Sequence, residues 1–449
     1  MMEIGGKNIS VIGAVRSGVG AARLIKKLGG KPFVSDMADE GKLAQSIAVL
    51  RQNEIEYETG CHSDKVYQCD LMVVSPGVPS DAEVVINAQG KNIKVISEIE
   101  LASAFCKGTI IAITGTNGKT TTTSLCGHVF NMCGYKTYTA GNIGLAFSEV
   151  ALDVRENEFV ALEVSSFQLD LIDTFKPKAA VILNITPDHL NRYKNKMENY
   201  INSKLRIYKN QDKDDYLILN KDDTNLVNYI TFYKSKSFYF SLNESQNNGS
   251  YRFKDQIIFN QDSQLKFAFY IGDMKLRGEH NYANAMSVIT VAKIFDLDNA
   301  KIREALKTFK GVEHRLEIVR ELEGIKYVND SKATNVDSVW YALRSFDEPV
   351  FLIMGGQDKG NDYNQIKSLV LERVKKIYAI GSSAEKIFNF FHSLIKVEIK
   401  ISLEDAVMSA NKEARENEVV LLSPACASFD MFDNYEHRGK VFKEAVNNL

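Results

Sequence analysis

The run Thr109-Ile-Ile-Ala-Ile-Thr114 leads directly into Gly115-Thr-Asn-Gly118-Lys119-Thr120-Thr121, and no other feature constrains the fold as tightly. Six β-branched or small apolar residues read as a buried strand, and the glycines after them as a tight turn into a helix. At such a turn, backbone N–H groups and the positive end of the helix point at one place, which suits a phosphate. The lysine can reach outer phosphates and a threonine hydroxyl can ligate Mg²⁺. A nucleoside triphosphate is implied, with Gly115, Thr116, Asn117, Gly118, Lys119, Thr120 and Thr121 as its residues. The full pattern would place glycine where Ile113 stands, so the loop is a shortened form.

The surrounding chain repeats this alternation of short apolar runs and helical stretches, as parallel strands joined by crossover helices do. Ile9 to Ile12, Pro32 to Ser35 and Leu71 to Ser75 belong to a first unit. Phe159 to Glu163 and Ala180 to Asn184 belong to a second, and Lys326 to Asn329, Val350 to Met354, Lys376 to Ile380 and Val419 to Leu422 to a third. At about 150 residues per domain, a 449-residue chain holds about three. The boundaries expected are 1–98, 99–311 and 312–449. Between Tyr229 and Leu276 the aromatic, serine-rich and asparagine-rich alternation predicts small antiparallel ribbons.

Composition removes several classes of function. No apolar run approaches the roughly 20 residues that cross a bilayer, and the polar start, Met1 to Asn8, lacks a secretory pattern, so no membrane partner and a cytoplasmic location are expected. Six cysteines without a C-x-x-C pair argue against zinc and against disulfides. A net charge of −2 with interspersed signs argues against nucleic acid. Small-molecule partners and a monomer are expected.

Glu163 closes one apolar strand, and Asp188-His189 follows another, so both stand where strand ends face the phosphate loop and become metal candidates. A lone glutamate or histidine is more often structural, and histidine is an unusual ligand for Mg²⁺; the placement argues for function. Gly13-Ala-Val-Arg-Ser17-Gly18-Val-Gly20 is similar to a dinucleotide turn with Val15 in place of the second glycine, and Asp36 stands near where an acid meets a ribose. A diphosphate or nucleotide-sugar fits there as well as a structural turn does, and a hydride carrier fits less well. In the third unit, Arg315 can neutralise phosphate, Asp330 can accept from a ribose, and Lys332 with Lys359 can hold carboxylates. Each alone also reads as a solvated loop charge.

Over essentially its whole length the chain resembles the Mur ligases. The Gly115 to Thr120 loop is shared across that family and with folylpolyglutamate synthases, so a ligase with another amino acid or acceptor remains the nearest alternative. Glu163-Val-Ser-Ser-Phe-Gln-Leu169, Asn329-Asp-Ser-Lys-Ala-Thr-Asn335 and Leu421-Leu-Ser-Pro-Ala-Cys-Ala-Ser-Phe-Asp430 resemble its D-glutamate-adding branch. The resemblance implies an α/β fold of three domains: N-terminal Rossmann-like, central P-loop ATPase with the small β-ribbons, and a C-terminal Rossmann-like domain that moves to close the site. It implies ATP-dependent joining of D-glutamate to UDP-N-acetylmuramoyl-L-alanine through an acyl phosphate.

By the same resemblance Lys119 would hold the β- and γ-phosphates. Thr120, beside Thr121, and Glu163 would ligate one Mg²⁺, and His189 a second. Lys204, in Asn202-Ser-Lys-Leu-Arg-Ile-Tyr208, would carry CO₂ as a carbamate that ligates metal; from the sequence by itself it reads as a helix-surface lysine. Asn142 would contact the muramoyl group, and Asn281 and Asn284 would lie near adenine. Arg315, Asp330 and Lys332 would contact the nucleotide. Thr334, Lys359, Ser428, Phe429 and Tyr435 would surround D-glutamate, with Tyr435 standing where phenylalanine is usual. Ser17, Gly18 and Asp36 would serve the UDP group.

Overall fold

A computed structural model describes every residue except Met1, Ile143, Gly144, Thr231, Phe232, Arg277 and Lys359. Three sheets carry the fold, each fed by the β-branched runs seen in the sequence. The first holds β1 (Asn8–Ile12), β2 (Lys31–Asp36), β3 (Glu56–Thr59), β4 (Leu71–Val74) and β5 (Lys94–Ser97), all parallel, in the order β3-β2-β1-β4-β5. The order reverses between β1 and β4, which is where an open parallel sheet offers a ligand crevice.

The second sheet has β6 (Thr109–Thr114), β7 (Thr137–Gly141), β8 (Phe159–Glu163), β9 (Ala179–Ile182), β10 (Tyr216–Asn220), β11 (Lys236–Ser241), β12 (Gly249–Phe253), β13 (Gln256–Gln261) and β14 (Gln264–Tyr270), in the order β14-β13-β12-β11-β10-β9-β6-β8-β7. The chain winds from β6 outward on both sides, so the loop after β6 opens at the crossover. The antiparallel ribbon expected between Tyr229 and Leu276 is present at the edge of this sheet, though not over the whole stretch. β11 joins β10, and β12 joins β11, in parallel; only β12 to β14 run antiparallel, and they extend the same sheet. Buried Phe238 and Phe240 give β11 an apolar face for this sheet, and Phe238 stacks on Phe259 of β13 at 6.4 Å.

Both sheets belong to one compact unit, Met1–Met274 with Tyr282–Phe309, and share a continuous apolar core that runs from Ile9 and Val11 through Phe147 to Leu162 and Ile182. Two buried glutamates sit in the helix Glu98–Ser103, which follows β5. Glu100 accepts from the N–H groups of Asp173, Thr174 and Phe175 at 2.8–3.0 Å and from Thr174 Oγ at 2.5 Å. Glu98 accepts from Ser148 N–H at 2.6 Å through one oxygen, while its other oxygen has no hydrogen-bond partner. Burial pushes the Glu98 carboxyl up to about 7.

The second unit is Lys275–Asn281 with Lys310–Leu449. Its sheet holds β15 (Glu317–Leu322), β16 (Ile325–Asn329), β17 (Val350–Gly355), β18 (Val374–Ile380), β19 (Lys396–Ile399) and β20 (Val419–Leu422), in the order β15-β16-β20-β17-β18-β19. All neighbours are parallel except the edge hairpin β15–β16. Apolar clusters cover both faces, as a parallel sheet requires. The fold is therefore a three-domain α/β architecture. Among the described residues no helix is long and apolar enough to cross a membrane.

Candidate active site

The loop after β6 is held from outside itself. Thr116 N–H donates to the Asn184 carbonyl at 2.8 Å, Asn117 N–H donates to Asn184 Oδ1 at 2.8 Å, and Asn184 Nδ2 donates back to the Asn117 carbonyl at 3.1 Å. Thr116 Oγ1 donates to the Thr186 carbonyl at 3.0 Å. These partners lie just past β9, so the neighbouring strand end fixes the loop; in the sequence Asn184 reads only as the close of a strand. Gly118 caps the helix Lys119–Met132 with φ of +83°, and a Cβ there would stand 2.5 Å from Asn284 Oδ1. Backbone conformation and space both demand glycine. Lys119 Nζ donates to the carbonyls of Gly115 and Thr116 at 2.8 and 2.6 Å. Thr120 and Thr121 are buried in the first turn.

Lys204 is not a surface residue: only 2% of it is exposed. Its Nζ donates to the Gly115 carbonyl at 2.9 Å and lies 4.7 Å from the centre of the Tyr200 ring. Burial, and then the charge of Lys119, push its amine well below the usual lysine range, against the pull of Asp188, Asp170 and Glu163. The sequence hides this because the helix Met197–Leu205 turns Tyr200, Ile201, Ser203 and Lys204 inward, and its partner carbonyl lies far back in the chain.

Glu163, at the end of β8, is 1% exposed. One oxygen accepts from Asn142 Nδ2 at 3.1 Å and the other has no hydrogen-bond partner. His189 takes the left-handed backbone conformation, φ of +53°, and its Nε2 lies 3.6 Å from Asp188 Oδ2. Such a conformation in a histidine is uncommon and concentrates at functional sites. The structure thus brings Gly115–Lys119, Asn284 and Lys204 into one cluster, with Asn142 paired to Glu163 and His189 to Asp188.

In the first sheet, Ser17 and Gly18 open the helix Arg16–Lys27 at the reversal of strand order. A Cβ on Gly18 would stand 1.7 Å from the Gly13 carbonyl oxygen. Asp36 accepts from Ala14 N–H at 2.6 Å and from Ala38 N–H at 2.8 Å, so its carboxylate braces the first loop.

The second unit gathers its own polar cluster. Asp330, 1% exposed at the end of β16, accepts from Ser423 Oγ at 2.9 Å and Leu316 N–H at 3.3 Å, with Arg315 at 3.8 Å. Burial pushes its carboxyl up to about 6 despite these partners. Lys332 Nζ lies over the Tyr435 ring at 5.2 Å. Thr334 is half-buried, Ser428 buried and Phe429 69% exposed. Asn281 is buried in the segment before the second unit's main stretch, and Lys359 lies outside the described residues. A residue that sequence reasoning misses is Arg438, fully buried, which donates to Ser331 Oγ, to the Ser331 carbonyl and to the Cys426 carbonyl at 2.8–3.1 Å. It ties together the two polar segments, and nothing in the pattern around it signals that role.

A phosphate loop on a mostly parallel sheet, with a buried carboxylate at a neighbouring strand end and a buried lysine amine held to the loop, defines a nucleotide-dependent group-transfer enzyme. Residues 113–292 match the Mur ligase middle domain, 314–426 the Mur ligase glutamate ligase domain and 9–84 the MurD N-terminal domain, and the chain belongs to the Mur ligase family. Its relatives include the UDP-N-acetylmuramoylalanine--D-glutamate ligase of Chloroherpeton thalassium, 42% identical over 464 residues that cover 100% of this chain and 99% of the relative. The enzyme of the same name from Geotalea daltonii is 43% identical over 450 residues, with the same coverage. The fold is shared with the UDP-N-acetylmuramate-alanine ligase MurC of Thermotoga maritima, at a TM-score of 0.64 and 19% identity over 98% of this chain and 99% of that one. It is shared too with the MurF ligase of Thermotoga maritima in complex with ADP, at a TM-score of 0.59 and 16% identity over 85% and 90%.

Proposed function

We infer that this chain is the ATP-dependent ligase that joins D-glutamate to UDP-N-acetylmuramoyl-L-alanine in peptidoglycan precursor synthesis. The choice of substrates rests on the full-length similarity to ligases of that name. The chemistry rests on one observation: the buried Lys204 amine and the phosphate loop meet at the Gly115 carbonyl. A carboxylate is a poor acyl donor, so the terminal phosphoryl group of ATP passes to it and ADP leaves. The amine of D-glutamate then attacks the acyl carbon, and phosphate departs as the amide forms. Positively charged groups and N–H donors must surround the charge that develops at each step.

The loop Gly115 to Thr121, with the Lys119 amine, holds the outer phosphates, and Asn281, Asn284, Arg315, Asp330 and Lys332 hold the rest of the nucleotide. Asn142 orients the muramoyl-alanine, and Ser17, Gly18 and Asp36 serve the UDP group. Thr334, Lys359, Ser428, Phe429 and Tyr435 surround the amino acid. These roles divide the chain into a UDP-sugar domain over 1–98, an ATP domain over 99–311 and an amino-acid domain over 312–449. We place the enzyme in the cytoplasm as a monomer.

The residues suit Mg²⁺. Glu163 offers a buried carboxylate oxygen without a partner, and Thr120 a hydroxyl, both hard donors; His189 is the softer third. Two bound Mg²⁺ ions would screen phosphate charge and polarise the reacting oxygens. Lys204 suits CO₂, because burial favours the neutral amine, which is the nucleophile that forms a carbamate: the nitrogen bonds the carbon of CO₂ and loses a proton, and the neutral side chain becomes an anionic oxygen ligand.

Phosphate release from ATP, measured with UDP-N-acetylmuramoyl-L-alanine and each of D-glutamate, L-glutamate, L-lysine and meso-diaminopimelate, tests the assignment. Turnover with D-glutamate alone is expected. Turnover with another amine keeps the ligase and overturns the amino-acid assignment.

A further inference from the structure

The helix Met197–Leu205 has no side-chain cap at Lys196, so something other than its own end must set its place. Two attachments do so, one on each side of Lys204. On one side Ser203 Oγ lies 2.5 Å from Asp170 Oδ1 and 2.9 Å from the Ser166 carbonyl. Tyr193 donates its hydroxyl to the other Asp170 oxygen at 3.1 Å. On the other side Arg206 donates from Nε to the Leu169 carbonyl at 2.7 Å and from a terminal nitrogen to the Ile172 carbonyl at 2.9 Å.

All these acceptors lie in one short segment, Ser166 to Ile172, which begins just beyond Glu163 and carries the helix Ser166–Asp170. That helix is itself locked at its start, where Ser165 and Gln168 exchange hydrogen bonds. The segment that leaves the buried carboxylate of Glu163 is therefore the segment that grips the helix of Lys204, and the Lys204 amine in turn touches the phosphate loop. Ser203 is buried, and a carboxylate acceptor makes its hydrogen bond one of the stronger kind.

We propose that Asp170 and Ser203 are positioning residues that hold the Lys204 amine against the phosphate loop in the orientation that takes up CO₂. This role rests on the carbamate reading of Lys204. Each would act by fixing where the lysine stands. Loss of the pair lets the helix shift, and a lysine displaced by even a fraction of an ångström is off the geometry that its carbamate needs.

The test uses the full chain with Asp170→Ala, Ser203→Ala and the conservative Asp170→Asn, whose side-chain oxygen still accepts from Ser203. ¹³C NMR under ¹³CO₂ reads the lysine carbamate directly, and phosphate release is measured against added bicarbonate. In both alanine variants the carbamate signal and kcat at ambient CO₂ are expected to fall about tenfold, with KM for ATP unchanged and kcat recovering as bicarbonate rises. Asp170→Asn is expected to stay near the wild type in both readouts. Wild-type signal and bicarbonate response in folded alanine variants would overturn the positioning role alone. A wild-type enzyme without any carbamate signal would overturn the carbamate reading and the proposal with it.

Discussion

Glu163 and Asp330 stand in different units of the molecule in nearly the same circumstances. Each closes or follows a parallel strand, and each is 1% exposed. They differ in what surrounds the charge. Both oxygens of Asp330 are engaged, by Ser423 on one side and by Leu316 N–H and Arg315 on the other. Glu163 has Asn142 on one oxygen and nothing on the second. A buried carboxylate that is satisfied can serve the fold, whereas one left half-satisfied costs stability unless something completes it. Glu98 shows one way to complete it without a ligand: it too has an unpartnered oxygen, and it keeps a proton to about 7. For Glu163, on the strand beside β6, the cation proposed above would complete it.

Changing Glu163 to Gln should sharpen the contrast most. Phosphate release is expected to fall by at least ~10³-fold, the scale of losing a group that stabilises transition-state charge, while the urea midpoint stays or rises because a half-satisfied charge is gone. A fall in both would mean that the fold itself depends on the Glu163 charge. Next in size is Glu98→Gln, whose amide oxygen can keep the Ser148 bond. The folded carboxyl of Glu98 titrates near 7 and the unfolded one near 4.5. As pH rises past 4.5 the unfolded chain loses its proton first, so wild-type stability declines until about pH 7 and is level above. The variant should therefore be more stable than the wild type by about 3 kcal/mol at pH 8, with the gain vanishing toward pH 4.5. Urea melts at the two pH values check this. The smallest effect is Asp330→Asn. The carboxyl titrates at about 6 in the fold against 3.8 in the unfolded chain, so above about pH 6 its charge opposes folding. The amide, whose oxygen can keep the Ser423 bond, is expected to raise stability at pH 8 by somewhat less than Glu98→Gln does, because the shift is smaller. A variant less stable than the wild type at pH 8 would mean that the bonds from Ser423 and Leu316 and the charge of Arg315 outweigh the burial of the carboxylate.

Much of this is legible in the amino-acid sequence. The phosphate loop announces itself because strand, glycine turn, lysine and helix are contiguous, and Glu163 is marked by closing an apolar run. What stays hidden depends on distance along the chain. Lys204 is indistinguishable from an exposed helical lysine until the carbonyl of Gly115 is folded over it. Arg438 acquires meaning only when Ser331 and Cys426 arrive from elsewhere. The aromatic stretch after Tyr229 alternates as any half-buried strand does, and alternation cannot say whether β11 pairs in parallel or antiparallel. Spacing alone cannot show that the Asp36 carboxylate bonds to the backbone of the first loop.

The split of the second unit into Lys275–Asn281 and Lys310–Leu449 bears on how this enzyme can be taken apart. A fragment cut at residue 310, the natural place to divide the gene, leaves behind a short strap translated earlier. In the intact chain Glu279 pairs with Arg344 at 3.1 Å, and the His280 ring lies 5.5 Å from that of Tyr341. The excised piece would keep its six-stranded sheet but bare the flank of Tyr341, and it should be sticky where the whole protein is not. Supplying residues 275–281 as a grafted leader, not moving the cut by a few residues, is what would restore that surface.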